Sequence, residues 1–170
     1  MAIVKANYTK QAGAAKASIR YIEHRRGAEG ERITRPLFGS DGLVGRYAAY
    51  NMIDGATEGS IFFRFVVSPD PNKEDTKRDL SLREITKTTM DTLEERMGKQ
   101  IAWVAAVHAD HAPHRHVHII AVVDGRLQAQ DFQALRKTAT DASVTQRREL
   151  DISREQKQRE RSEAQWDLQR

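Results

Sequence analysis

Five of the six histidines, His108, His111, His114, His116 and His118, fall within eleven positions, and the chemistry open to such a group is metal binding. The apolar run Trp103-Val104-Ala105-Ala106-Val107 ends at His108. After a short polar loop containing Pro113, a second run from His116 to Val123 is apolar on both faces, the pattern of a strand covered on both sides. Side chains alternate along a strand, so His116 and His118 share a face with Cα atoms about 6.6 Å apart. Two imidazoles at that spacing can reach one cation, each at about 2.0–2.2 Å. If the two runs pair antiparallel, His108 faces the same point. Three convergent histidines leave coordination positions open, which suits a catalytic metal better than a closed structural one. A solvated histidine-rich loop is the competing reading, but nitrogens at the mouth of a buried strand need partners once out of water. His114 shares the parity of His116 and His118 and sits beside Pro113. It is a candidate fourth ligand, a substrate contact or a rim residue, and His111 is equally open.

The elements that must position this group can be read in chain order. Ala2–Tyr8 has a strand's alternation, with Val4, Ala6 and Tyr8 on one face. Thr9 reads as the cap of a helix running to about Arg26 and stopped by Gly27. Ala15, Ile19 and Ile22 form its core stripe. Tyr21 lies nearly opposite, aligned with Ala14 and Ala17, so its phenol is accessible and surrounded by Lys16, Arg20, His24, Arg25 and Arg26. Gly27–Gly59 reads as irregular, with a short helix near Val44–Met52. Ile61–Val67 is a strand, closed by Ser68-Pro69-Asp70-Pro71, where two prolines forbid continuation. A helix follows over Leu82–Met97, signalled by the capping box Ser81 and Glu84 and the stripe Leu82, Ile85, Thr89, Leu93 and Met97, and ended by Gly98. Asp124-Gly125 marks a turn, and helix resumes from Asp131-Phe132. This order predicts an α+β sandwich with a mainly antiparallel central sheet and helices packed on one face.

A chain of 170 residues is long enough for one real core. Residues 1–140 read as the domain, and 141–170, mixed in charge and poor in apolar residues, as a charged helical or linker segment leading toward a further region. The net charge of +4 and pI near 9.5 favour a polyanionic partner. With no cysteine, disulfide frameworks and thiolate metal sites are excluded, so ligands must come from His, Asp or Glu. No stretch approaches the roughly 18 apolar residues of a membrane span, and no signal-peptide core is present, so a cytoplasmic protein without membrane insertion is expected.

Three sequence pieces resemble, in order, the motifs of the conjugative and mobilisation relaxases of the HUH endonuclease superfamily. His116-Val117-His118 after His108-Ala109-Asp110 resembles the His-hydrophobic-His signature with its upstream His-x-Asp. Arg20-Tyr21-Ile22-Glu23-His24-Arg25-Arg26-Gly27 is similar to the motif carrying a nucleophilic tyrosine, and Phe65-Val66-Val67-Ser68-Pro69 to the motif whose serine contacts DNA. The histidine loop is one or two residues out of step with the commoner spacing, so His114-Arg115-His116 competes as the pair. Val122 stands where the family often has asparagine.

The resemblance implies an enzyme that nicks and rejoins single-stranded DNA at an origin of transfer through a 5′-phosphotyrosyl intermediate on Tyr21, with the nearby His24 as the alternative nucleophile because some relatives use a histidine. Relaxosome accessory proteins and a coupling protein are the implied partners. His108, His116 and His118 would hold a divalent ion, Mn²⁺ or Mg²⁺ in function, with Zn²⁺ or Ni²⁺ able to occupy a site of three imidazoles. Asp110 would accept an imidazole N–H or help take the tyrosine proton. Ser68, Lys10, Lys16, Arg20, Arg25, Arg26, Arg32, Arg35 and Arg115 would contact DNA. Tyr47, Tyr50 and Phe38 could stack on bases, with core packing the expected role for each. Rolling-circle initiators and single-strand transposases share this chemistry, and a non-catalytic DNA-binding accessory protein is the reading from a different class.

Overall fold

The computed structural model describes residues 1–110 and 113–169. In chain order it contains β1 (Ile3–Thr9), α1 (Ala12–His24), β2 (Leu37–Gly39), β3 (Gly42–Val44), α2 (Arg46–Asp54), β4 (Ile61–Ser68), α3 (Leu82–Met97), β5 (Ala102–His108), β6 (His116–Val123) and α4 (Ala129–Leu168). The strands form one sheet in the order β1-β4-β6-β5-β2-β3, and every pairing is antiparallel. The expected α+β class with an antiparallel sheet is therefore what the chain adopts.

The placement of the helices differs from the expectation of one covered face. Phe63, Phe65, Val117, Ile119 and Trp103 pack with α3 and α4 residues such as Ile85, Leu93 and Leu135 in one cluster. Phe62, Val104, Ala106 and Ile120 pack with Ile19, Ile22 and Ile53 of α1 and α2 in another. The central strands are apolar at both parities, so each face needs its own cover, and the helices divide between them. At about 1.5–3 kcal/mol for each large apolar side chain removed from water, neither face could be left bare.

Local signals account for most boundaries. Ser81 accepts the Glu84 N–H at 3.4 Å at the start of α3, and Gly98 ends that helix at φ 73°, a left-handed conformation that favours glycine. Thr9 is the last residue of β1 rather than a helix cap. The cap is Gln11, with no side-chain hydrogen bond, and α1 ends at His24 with Arg25 as its C-cap. The segment expected to be irregular contains the β2–β3 hairpin, turned by Ser40 and Asp41 between Gly39 and Gly42. Strands of three residues show too few same-face side chains for a period to appear.

Helix α4 starts where Asp131 accepts the Gln128 N–H at 2.7 Å, and it continues unbroken past residue 140. Arg96 ties α3 to it through Asp131 at 2.7 Å. Its inner face buries Leu135, Ala139, Ser143 and Arg147. Beyond Ser153 the helix is exposed on all sides, with Trp166 and Leu168 among its solvent-facing side chains.

Candidate active site

Antiparallel pairing of β5 with β6 sets His108 opposite His116, and Ala106 opposite His118. Because alternate residues share a face, all three histidines project toward α1, on the side of the sheet where Val104 and Ile120 meet Ile19 and Ile22. Their ligand atoms lie within 4.8 Å of one another, and the ring centroids are 4.6 Å apart for His108–His118, 5.0 Å for His116–His118 and 5.5 Å for His108–His116. His114 stands outside this group, its ring 6.4 Å from that of His116. His111 lies outside the described residues.

Hydrogen bonds to carbonyls set the tautomers. His108 Nε2 lies 2.9 Å from the Ile22 carbonyl, which can only accept, so Nε2 carries the proton and Nδ1 keeps its lone pair. The same argument gives His116 a proton on Nδ1, which faces its own loop's His114 carbonyl at 3.5 Å. His108 Nδ1 and His118 Nε2 are buried without a hydrogen-bond partner among the described residues. Burial, the neighbouring His118 and the Arg35 charge push the His108 imidazole down to about 3. Burial and then His116 push His118 down to about 4, and burial lowers His116 as well. The imidazoles are therefore held in the neutral form, and two of their nitrogens are buried without a partner among the described residues, an arrangement costly for a protein unless something engages them. This donor set fits a divalent transition ion.

Helix α1 brings Tyr21 to the same region. Its side chain is 52% exposed, and it lines, with His118, a cleft of about 550 Å³ between α1 and strands β1, β4 and β6. The guanidinium of Arg25 lies 5.6 Å from the Tyr21 ring centroid, a cation–π distance. Arg20 lies exposed beside them in a shallow hollow shared with Ala17 and His24. His24 is turned to other partners: Thr34 Oγ1 at 3.3 Å from Nδ1, Arg46, and the Glu23 carboxylate at 3.3 Å from Nε2.

Other expected site residues divide according to what already holds them. Asp110 receives both contacts from Arg35, at 2.9 and 2.7 Å, while Arg35 also donates to the Arg25 carbonyl at 2.6 Å. Arg35 is only 5% exposed, and its contacts join the end of α1 to the histidine loop. Arg115, expected at DNA, is likewise taken up by Asp75, at 2.9 and 2.8 Å, and by the Leu80 carbonyl at 2.9 Å. The physical reason is the same in both: a guanidinium withdrawn from water needs a carboxylate partner more than a surface one does. Ser68 is buried, its hydroxyl donating to the Arg115 carbonyl at 3.4 Å. Lys16 bridges to Asp54 at 2.6 Å and lies over Tyr50, tying α1 to α2. Arg26 donates to the Gly30 carbonyl at 2.8 Å from an exposed position. Lys10 and Arg32 are exposed. Phe38 is core and Tyr50 packs against the α1–α2 cluster, as expected, whereas Tyr47 is 81% exposed.

The sequence reading missed the Ile22 carbonyl, the Arg35 clamp and Arg64, which lies in the cleft. The first two carry no sequence signal. Arg64 had one, a lone charge in the middle of the apolar strand Ile61–Val67. No curated protein and no solved structure matches the chain. Residues 58–170, which include the histidine strands, match the family model Mob_Pre, described as plasmid recombination enzyme. The chain thus belongs to the plasmid recombination enzyme family and is a mobilisation relaxase.

Proposed function

We propose that the chain nicks and rejoins one strand of DNA at an origin of transfer, with Tyr21 as nucleophile and His108, His116 and His118 holding a divalent ion. The observation that carries this reading is that Tyr21 and His118 line one cleft, and His118 presents a buried nitrogen with no partner among the described residues. When bound, the ion supplies polarisation of a non-bridging oxygen of the scissile phosphate. Mn²⁺ or Mg²⁺ is the functional ion proposed, with Zn²⁺ or Ni²⁺ able to occupy three imidazoles.

Tyr21 Oη attacks phosphorus, the new O–P bond forms and the bond to the 3′ oxygen breaks. The products are a 5′-phosphotyrosyl ester and a free 3′-hydroxyl. The phenolic proton leaves to solvent on the exposed side of the tyrosine, and the 3′ oxygen takes one up. Because the ester keeps the bond energy, attack by a 3′-hydroxyl reverses the step and rejoins the strand. Arg25, against the tyrosine ring, steers the phosphate toward it. Asp110, fixed by Arg35, adds negative charge that acts on His116, so its role is positioning and charge at the histidines. The His108 ring is oriented by the Ile22 carbonyl, one residue from the nucleophile, which couples the two halves of the site.

Arg20 and Arg26, with Arg25, are the proposed phosphate contacts. Relaxosome accessory proteins and a coupling protein are the proposed partners. The test is incubation of the chain with labelled single-stranded DNA from the transfer region of its own element and Mn²⁺. A covalent protein–DNA band on a denaturing gel is expected, and its absence overturns the reading.

A further inference from the structure

We propose that the cleft beside the histidines seats one unpaired guanine of the DNA strand and that Arg64 reads it. The inference rests on the chain binding single-stranded DNA, as proposed above. Strand β4 has β1 on one side and β6 on the other, and its neighbours in sequence are closed off, Phe63 at 5% and Phe65 at 1% exposed. Arg64 is exposed in the middle of it. It pairs with Asn7 of β1 and Ile120 of β6, and the next same-face pair along β4 is Val66 with His118. The arginine therefore stands on the histidine face, about 6.6–6.8 Å along the strand from the residue that pairs with His118. It stays open because the overlying helix presents small side chains there, Ala14, Ala17 and Ser18.

The guanidinium is held in place. Nε donates to Asn7 Oδ1 at 2.6 Å and one terminal nitrogen to Ser18 Oγ at 3.3 Å. These use two of the five N–H donors and leave hydrogens on the outer edge of the fork. The walls around it are apolar or aromatic, formed by Ile120, Val66, Ala17 and Tyr21. A phosphate would lose its hydration against such walls, whereas a base gains by stacking and burial. Two parallel donors match the O6 and N7 acceptors of guanine. On the edge away from the Watson–Crick face adenine offers one acceptor beside a donor, cytosine a donor and thymine one acceptor. The adjacent N3 and O2 acceptors of an unpaired cytosine are the competing match, and enrichment of cytosine in place of guanine overturns the proposal. The phosphate of an adjoining nucleotide then lies toward His118 and Tyr21, so the base contact sets which bond is presented.

The test uses a pool of single-stranded DNA randomised over its central positions, with two readouts on the same chain. Retention on the protein without added metal reads the cleft, and covalent adducts formed with Mn²⁺ read the nicking chemistry. Wild type is expected to enrich guanine about tenfold or more at one position, in the retained pool and at a fixed offset from the nick. Arg64→Ala should bring that position to within about twofold of random. Arg64→Lys should keep charge but lose the preference, since an ammonium has no fork. Ala17→Leu, which fills the cleft from the helix side, should lose it with Arg64 intact. Circular dichroism confirms that each variant folds. No guanine preference in wild type, a preference that survives Arg64→Ala, or equal weakening of all sequences overturns the proposal. Adducts without a guanine preference sink the cleft and leave the nicking reading standing. A guanine preference without adducts does the reverse.

Discussion

The two faces of the sheet are built from the same strands and are used differently. On the α3–α4 face, Phe65, Val67, Ile119 and Leu93 are at most 1% exposed, and buried hydroxyls are satisfied locally. Thr86, Thr89 and Ser143 each donate at 2.7 Å to the carbonyl four residues earlier. On the α1–α2 face, Phe62, Val104 and Ile120 anchor the helices, but the same parity then delivers His108 and His118, with nitrogens that find no partner among the described residues, and Arg64 in an open cleft. In β6 the contrast is separated by one residue: Val117, Ile119, Ala121 and Val123 point into one core, His116, His118 and Ile120 to the other side. One face supplies stability with its hydroxyls closed off, Arg147 Nε alone among its described buried side-chain atoms lacking a partner. The other keeps polar groups unmatched, which is what a site needs and a core avoids.

The largest expected effects are on the open face. Tyr21→Phe should reduce covalent adducts to background on a denaturing gel while leaving stability within about 0.5 kcal/mol, because the lost hydroxyl belongs to an exposed side chain. A persistent adduct would move the nucleophile to another side chain such as His24. Replacing His116 and His118 together by alanine should abolish nicking and also the rise in melting temperature expected of wild type on adding Mn²⁺, since an ion binding only the folded state stabilises it by mass action. An undiminished metal-induced rise would remove the histidines from the metal site.

Two adjacent residues of β6, His118 and Ile119, point to opposite faces. Ile119→Ala opens a cavity in the closed face and should destabilise by about 2–5 kcal/mol in urea unfolding without metal. His118→Leu removes a buried nitrogen that lacks a partner, so stability without metal should stay within about 1 kcal/mol of wild type or rise. The same variant should lose the stabilisation by Mn²⁺. Equal destabilisation by both changes would mean that the histidine face is as much a packed core as its opposite.

Alternation made β4, β5 and β6 readable, and with them the shared face of His116 and His118. Ser81 with Glu84, and Gly98, made α3 readable because capping is chemistry between near neighbours. The run from His116 to Val123 already calls for cover on both sides, but the order of elements does not say how the helices divide between the faces. What could not be read depends on contacts distant in sequence. Arg35 reaches Asp110 across 75 residues, and Arg115 reaches Asp75 across 40. An arginine looks the same in a sequence whether it meets a phosphate or a carboxylate. The Ile22 carbonyl that orients His108 is backbone, which every residue carries.

The smallest expected effect tests whether charges on the closed face are as fully matched as its hydroxyls. Arg147 of α4 is 8% exposed and reaches Asp79 at 2.6 Å and Asp151 at 2.8 Å. Its hydrogen bond holds the Asp79 carboxyl below the ordinary value of 3.8, and burial opposes it. A carboxyl depressed in the folded state adds stability above its unfolded value, and that stability is lost as pH falls through the folded value. Wild type should therefore lose stability on acidification below about pH 4 more steeply than Arg147→Met. At neutral pH the variant should be weaker by only about 1 kcal/mol, because Arg154 still reaches Asp79 at 2.7 Å. Urea midpoints between pH 3 and pH 7 measure both. Parallel acid limbs for the two proteins would show that Arg147 packs against the core through its methylenes and that its charge adds nothing to the closed face.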